Sequence, residues 1–279
     1  MRTIAEFAPQ GDYVGLRRIG LPVVGGGRRG SISTFSRQSR SRLNKRISQL
    51  QKHQIPLFMT LTYPEGYPND YKVYKAHLHA FFMALKSYFP EYGSIWKLEY
   101  QRRGAAHYHC FLYGVSLEAA QELIPRLWYQ VVGSNDENHL LFHQGKLKNS
   151  RPCVEEVRTW HGVKSYASKY LSKVPRGDQE SGRYWGCVGR VPMSKIMQFR
   201  IDLEVANAFR RAVRKRTGYN PRRYGFWANC YHPDWLKWIE QMQNESEEAR
   251  IPESFPPGWW KSRPVEEQPM FTDWEILPG

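Results

Sequence analysis

Between residues 56 and 174, short apolar runs bounded by proline and glycine take turns with longer stretches of helical period, and that order leaves few folds open. The run from Pro56 to Tyr63 reads as a buried strand. NDYKVYKAHLHAFFMALKSYF follows as a long helix, with Asn69 or Asp70 available as N-cap and Val73, Leu78, Phe81, Phe82 and Leu85 as apolar positions. SIWKLEYQ and AHYHCFLYGV read as two strands joined through an Arg103-Gly104 turn, LEAAQELIPRLWYQVV as a second helix, PCVEEVRTW as a further strand and HGVKSYASKYLSKV as a third helix. The order β, α, β, β, α, β, α predicts an α+β domain, a ferredoxin-like or RRM-like antiparallel sheet with helices packed on one face and the other face open for a site.

Outside this stretch the reading is looser. Residues 1 to 35, with GGGRRGSIST, show no period and read as a mobile basic arm. A helix is expected from Ser36 to Lys52, its polar side carrying Arg37, Arg40, Arg42, Lys45 and Arg46, either as a solvated face or as a contact to DNA. Beyond the central domain, GRYWGCVGRVP reads as irregular, DLEVANAFRRAVRKR as a basic helix and YGFWANC as an additional strand. From Pro233 onward, prolines and acids predict an accessory or loosely ordered tail. The expected division is an N-terminal arm and helix at 1–54, a central domain at 55–232 and an acidic tail at 233–279.

Charge narrows the partner. The chain carries a net charge of +15, and because the residues from Asp234 on hold ten acids and four bases, the preceding part is more basic still. Such an excess, with ten tryptophans and seventeen tyrosines on which unpaired bases can stack, points to single-stranded nucleic acid. The four cysteines lie far apart without a C-x-x-C pair, which suggests neither a zinc site nor a disulfide framework and fits a reducing cytoplasm. No apolar run approaches the roughly 20 residues of a membrane span, so no membrane partner is expected.

The chemistry is concentrated in two places. In the strand after the Arg103-Gly104 turn, side chains alternate, so His107 and His109 project from one face with Phe111, while Tyr108, Cys110 and Leu112 face the other. With a three-residue hairpin loop, Glu99 would stand opposite His109 and Gln101 opposite His107. Two imidazoles and a carboxylate suit Mg²⁺, Mn²⁺ or Zn²⁺ and leave positions for a phosphate oxygen. His77-Leu78-His79 repeats the spacing within a helix, where two residues turn through about 200°, so that pair cannot share an ion. The second place is YASKYLSK: Tyr166 and Tyr170 are one helical turn apart, as are Lys169 and Lys173. A phenol attacks only when its phenolate is stabilised or its proton received, which the lysines and a nearby cation would support. Tyr170 borders the apolar stripe of Val163, Ala167, Leu171 and Val174, so partial burial competes with a chemical role there; Tyr166 lies further round.

With FMTLTY, HYH and YASKYLSK in this order, the chain resembles the HUH endonucleases, specifically the two-tyrosine rolling-circle replication initiators (Rep proteins) of phages and plasmids. EYQRRGAAHYH is similar to the E-x-Q-x-R-G-x-x-H-x-H segment of many of them. The resemblance covers residues 55 to 200. It implies a divalent metal, Mg²⁺ or Mn²⁺, held by His107 and His109 with Glu99 as third ligand or Gln101 as its substitute. It implies nicking of single-stranded origin DNA, possibly in a hairpin, by Tyr166 or Tyr170. The products would be a 5′-phosphotyrosine link and a free 3′-OH, and strands would be rejoined at termination. Lys169 and Lys173 would assist, and Arg102 and Arg103 would join the helix cations in holding DNA. No G-x-x-x-x-G-K-[ST] segment occurs, so a helicase and a polymerase would come from the bacterial host, in its cytoplasm. A two-tyrosine transposase, a mobilisation relaxase and a non-catalytic RRM-like module are the alternatives.

Overall fold

The apolar runs expected as strands pair into one antiparallel sheet in the computed structural model, which describes residues 2–19, 32, 34–171, 181–218 and 225–244. In chain order the elements are β1 (Arg2–Phe7), β2 (Tyr13–Ile19), α1 (Arg37–Ser48), β3 (Leu57–Thr62), α2 (Tyr71–Tyr88), β4 (Gly93–Tyr100), β5 (Ala106–Tyr113), α3 (Leu117–Val131), α4 (Glu137–His143) and β6 (Val154–Glu156). They continue with α5 (Trp160–Tyr166) and a π-helical turn (Ala167–Leu171), then β7 (Trp185–Gly189), β8 (Met197–Ile201), α6 (Leu203–Thr217), β9 (Phe226–Asn229) and α7 (Asp234–Asn244). The class is α+β, with two antiparallel sheets and seven α-helices among the described residues.

The larger sheet has the order β6-β3-β5-β4-β7. Its alternation sends Met59, Leu61, Leu98, Tyr108, Cys110 and Leu112 into one core with Tyr74, Leu78, Phe81, Phe82 and Leu85 of α2 and Ala120, Ile124, Leu127 and Trp128 of α3. Each large apolar side chain so buried contributes about 1.5–3 kcal/mol, which outweighs the weak helix propensity of the aromatic-rich α2. Asp70 starts α2 from an extended backbone, its carboxylate accepting the Lys72 N–H at 2.8 Å. In α2 the control pair separates as expected: Leu78 is buried between a half-buried His77, paired with Tyr63 Oη, and an exposed His79.

The opposite face is less open than the sequence suggested. Phe58, Ile95, Lys97 and Phe111 are all buried on it, because an apolar half of this size must be covered. Phe58 packs on the Tyr166 ring with centroids 4.4 Å apart, and Lys97 Nζ lies 5.2 Å over the Phe35 ring. GRYWGCVGRVP, expected as irregular, supplies β7, which pairs with β4 from Gly93↔Gly189 to Lys97↔Trp185. Gly189 sits at φ 64°, and a Cβ there would stand 2.1 Å from the Tyr92 carbonyl oxygen.

The second sheet corrects the reading of residues 1 to 35 as an unstructured arm. Strands β1 and β2 form a hairpin at the centre of the order β8-β1-β2-β9. Their partners lie almost the whole chain away, so no local period announces them. Ala5, Phe7, Val14 and Leu16 share a core with Val205, Phe209 and Val213 of α6 and with Trp235, Trp238 and Ile239 of α7. The buried Glu6 carboxylate accepts from Tyr13 Oη at 2.7 Å, Arg17 Nε at 3.2 Å and Gln198 Nε2 at 3.0 Å. The acidic tail therefore begins with a packed helix, anchored by its tryptophans, where loose order was expected. Strand β9 falls where YGFWANC predicted one; β8 and α4 were not anticipated.

By contacts, the described parts of Met1–Gly27, Arg37–Lys52 and Met193–Gly279 form one compact unit, and those of Arg28–Ser36 and His53–Pro192 another. Most of the glycine-arginine stretch and residues 245–279 lie outside the described residues. All four cysteines are free thiols, and among the described residues no helix is long and apolar enough to cross a membrane.

Candidate active site

The hairpin that carries the two histidines closes through a longer loop than the sequence suggested. Strand pairing ends at Tyr100↔Ala106, and across the loop Gln101 N–H donates to the Ala105 carbonyl at 2.9 Å and Gly104 N–H to the Gln101 carbonyl at 2.9 Å. Gly104 provides the left-handed residue at φ 89°. Five loop residues in place of three shift the register by two, so Glu99 stands opposite His107 and Lys97 opposite His109. A shift by two keeps every side chain on its face, which is why Glu99 still meets the imidazoles. Gln101 leaves the sheet altogether, its Oε1 accepting from Arg103 Nε at 2.9 Å.

His107 and His109 stack edge to face with ring centroids 4.5 Å apart. His109 Nε2 lies 3.2 Å from Glu99 Oε2, both groups buried. His107 Nδ1 lies 3.0 Å from Thr62 Oγ1 on β3.

The tyrosine helix begins at Thr159, whose Oγ1 accepts the Gly162 N–H at 3.0 Å, and changes after Tyr166 to the π-helical turn. Such turns recur at functional sites because they move side chains off the α-helical positions. Tyr166 Oη donates to Glu155 Oε2 at 3.1 Å. Glu155 stands opposite Phe58 in the β3–β6 pairing, next to the ring that packs on Tyr166.

One cavity of about 500 Å³ joins the two stretches. It is lined by Phe58, Thr60, His107, His109, Arg151, Glu155, Ser165, Tyr166 and Lys169. Four of the residues singled out from sequence thus meet in one space, and Glu99 adjoins it through His109. The backbone of Tyr170 belongs to the π-helical turn; its side chain, and all of Lys173, lie outside the described residues. Glu155, Arg151 and Thr60 were not anticipated, although the alternation of PCVEEVRTW, with Val154 in the core, already turns Glu155 to the histidine face.

The remaining cations divide. Arg37, Arg42 and Arg46 are exposed on α1 and Arg40 is half-buried, whereas Lys45 turns inward, 3.8 Å from Glu6 and 4.9 Å over the Tyr13 ring, where burial pushes its ammonium pKa down. Arg102 is exposed. Arg103 is held by the Pro64 carbonyl at 2.7 Å and lies 5.1 Å over the Tyr67 ring, so it braces the hairpin loop.

As the side chains stand, no three His, Cys, Asp or Glu groups close on a common point among the described residues. The donor chemistry nevertheless suits a hard or borderline divalent ion. Two nitrogens and a carboxylate share one face, and two donors at adjacent corners of an octahedron with bonds near 2.1 Å are about 3 Å apart, close to the 3.2 Å between His109 and Glu99. A ligating imidazole also carries a hydrogen bond on its other nitrogen, as His107 does to Thr62.

No curated protein and no solved structure matches the chain. Residues 56–175, the stretch that supplies every side chain lining this cavity, match the family model for the replication-associated protein ORF2, also described as the gene II protein.

Proposed function

We propose that the chain is a rolling-circle replication initiator of the HUH type, from a phage or plasmid, which nicks and rejoins single-stranded origin DNA through a tyrosine. The observation that carries this reading is that Tyr166 and Lys169 line the same cavity as His107 and His109. The family match over residues 56–175 supports it. So does the order β6-β3-β5-β4, which is how a β-α-β-β-α-β ferredoxin-like unit arranges its strands.

Tyr166 Oη attacks the scissile phosphorus, forming the tyrosine–phosphorus bond as the bond to the 3′-oxygen breaks. Glu155 already accepts the phenol hydrogen bond and takes the proton. Phe58, packed on the ring, holds the attack direction. Lys169 and Arg151 bring positive charge to the non-bridging oxygens. His107, His109 and Glu99 would hold Mg²⁺ or Mn²⁺, which supplies Lewis-acid polarisation of the phosphate. The 3′-OH released is the primer for a host polymerase behind a host helicase. Tyr170 would serve the second cleavage at the regenerated origin and Lys173 would assist it. Phe58 and Phe111 are 4 % and 0 % exposed, which argues against a base-stacking module of the RRM kind.

The test is incubation with labelled single-stranded DNA carrying candidate origin hairpins and Mn²⁺, followed by a denaturing gel. A covalent adduct is expected, and Tyr166→Phe with Tyr170→Phe should abolish it while DNA binding persists. An adduct formed by the double variant would overturn the assignment.

A further inference from the structure

The mechanism leaves two buried histidines without a task, and both converge on one peptide. Strand β6 is only three residues long and its pairing with β3 stops at Met59↔Val154, after which Thr60 N–H still finds the Cys153 carbonyl at 2.8 Å. Two residues on, Thr62 has outrun the strand. Its N–H donates instead to His143 Nε2 at 3.1 Å, and its carbonyl accepts from His139 Nε2 at 2.8 Å and from Trp128 Nε1 at 2.7 Å. Both imidazoles come from α4, one turn apart, with ring centroids 4.6 Å apart.

These contacts fix the protons. His143 Nε2 accepts, so the hydrogen sits on Nδ1, which donates to the His139 carbonyl at 2.9 Å. His139 donates from Nε2, which leaves its Nδ1 bare, buried and without a hydrogen-bond partner. Both rings act in the neutral form, and burial holds both pKa values down, His143 to about 4. Two buried imidazoles, one incompletely satisfied, cost free energy that an aliphatic edge would not.

The arrangement has a consequence for His107. Because both peptide groups of Thr62 point toward α4, the Thr62↔His107 pair is of the non-hydrogen-bonded kind, in which facing side chains approach most closely. Thr62 Oγ1 thereby reaches His107 Nδ1 at 3.0 Å. We propose that His139 and His143 are positioning residues that act through Thr62 to hold His107 with its proton on Nδ1 and Nε2 toward the cavity. The inference rests on the proposed role of His107 as a cation ligand, and it adds the support that orients that ligand.

The test uses the full chain, metal-free and labelled with ¹⁵N-histidine. Long-range ¹H–¹⁵N spectra report the His107 tautomer, and Mn²⁺ titration followed by electron paramagnetic resonance reports affinity. Wild type should show His107 protonated on Nδ1. His143→Ala and Thr62→Val should mix the tautomers and weaken Mn²⁺ binding by about 10–100-fold, while His143→Gln, which retains an acceptor for Thr62 N–H, and Thr62→Ser should restore both. If His143→Ala does not fold, Thr62→Val decides alone, since it leaves the α4 contacts in place. An unchanged His107 tautomer in Thr62→Val and His143→Ala would reduce the pair to a cap on the sheet edge and overturn the proposal. Loss of the DNA adduct reading with a shifted tautomer would instead remove the nuclease assignment and leave the relay standing.

Discussion

His143→Gln should flatten the acid side of the protein's stability curve. The His143 imidazole, 1 % exposed, has its pKa lowered by burial from 6.5 to about 4, with the neighbouring His139 lowering it further. Below pH 6.5 the unfolded chain takes up a proton that the folded chain refuses, so the stability contributed by neutral His143 is whole above that pH and is lost as the pH falls toward about 4. At about 1.4 kcal/mol per unit, the full loss is about 3 kcal/mol, of which about 2 kcal/mol has gone by pH 5. Glutamine offers an acceptor to Thr62 N–H but does not titrate. Urea unfolding followed by tryptophan fluorescence, at about pH 7.5 and about pH 5 and constant salt, should show wild type losing about 2 kcal/mol more than the variant, with shared carboxylate effects cancelling. Equal losses in the two proteins would refute the claim that His143 is held neutral.

Three other outcomes follow from the packing and charge. Trp128→Phe removes the indole N–H from the Thr62 carbonyl and opens space in a fully buried position, so a loss of about 2–4 kcal/mol with an unchanged m-value is expected in denaturant unfolding; a loss below about 1 kcal/mol would contradict it. Gly189→Ala forces a Cβ against the Tyr92 carbonyl at left-handed φ and should lower stability by about 2 kcal/mol or more, read as a drop in Tm; a neutral result would mean that the β4–β7 edge relaxes freely. Replacing Arg37, Arg42 and Arg46 together by alanine should reduce the slope of log binding constant against log salt for single-stranded DNA by about 2, measured by fluorescence anisotropy; an unchanged slope would assign α1 to solvent.

Much of the histidine-bearing sheet could be read from residues alone because its signals are local. The alternation around His107 and His109, the Asp70 cap and the apolar positions of α2 each lie within one turn or one strand. The hairpin register was misjudged because five loop residues and three give the same facing, and only the backbone contacts of Gln101 and Gly104 distinguish them. Glu155 and the α4 histidines escaped because their roles arise from pairing across the chain: Glu155 with Phe58, and His143 with a peptide 81 residues away. The hairpin of residues 2–19 was lost for the same reason, its neighbours β8 and β9 being supplied only after residue 196.

The sheet β8-β1-β2-β9 draws its strands from both ends of the chain, and Leu50 bridges Met193 where the intervening segment departs and returns. On a ribosome, the first hairpin must therefore wait with both edges bare until Met197–Ile201 and Phe226–Asn229 have emerged, while His53–Pro192 is already complete. Messages cut short in that interval would release chains with every cavity residue present and two sticky strand edges, so premature termination should yield aggregates in place of a smaller, soluble nicking fragment.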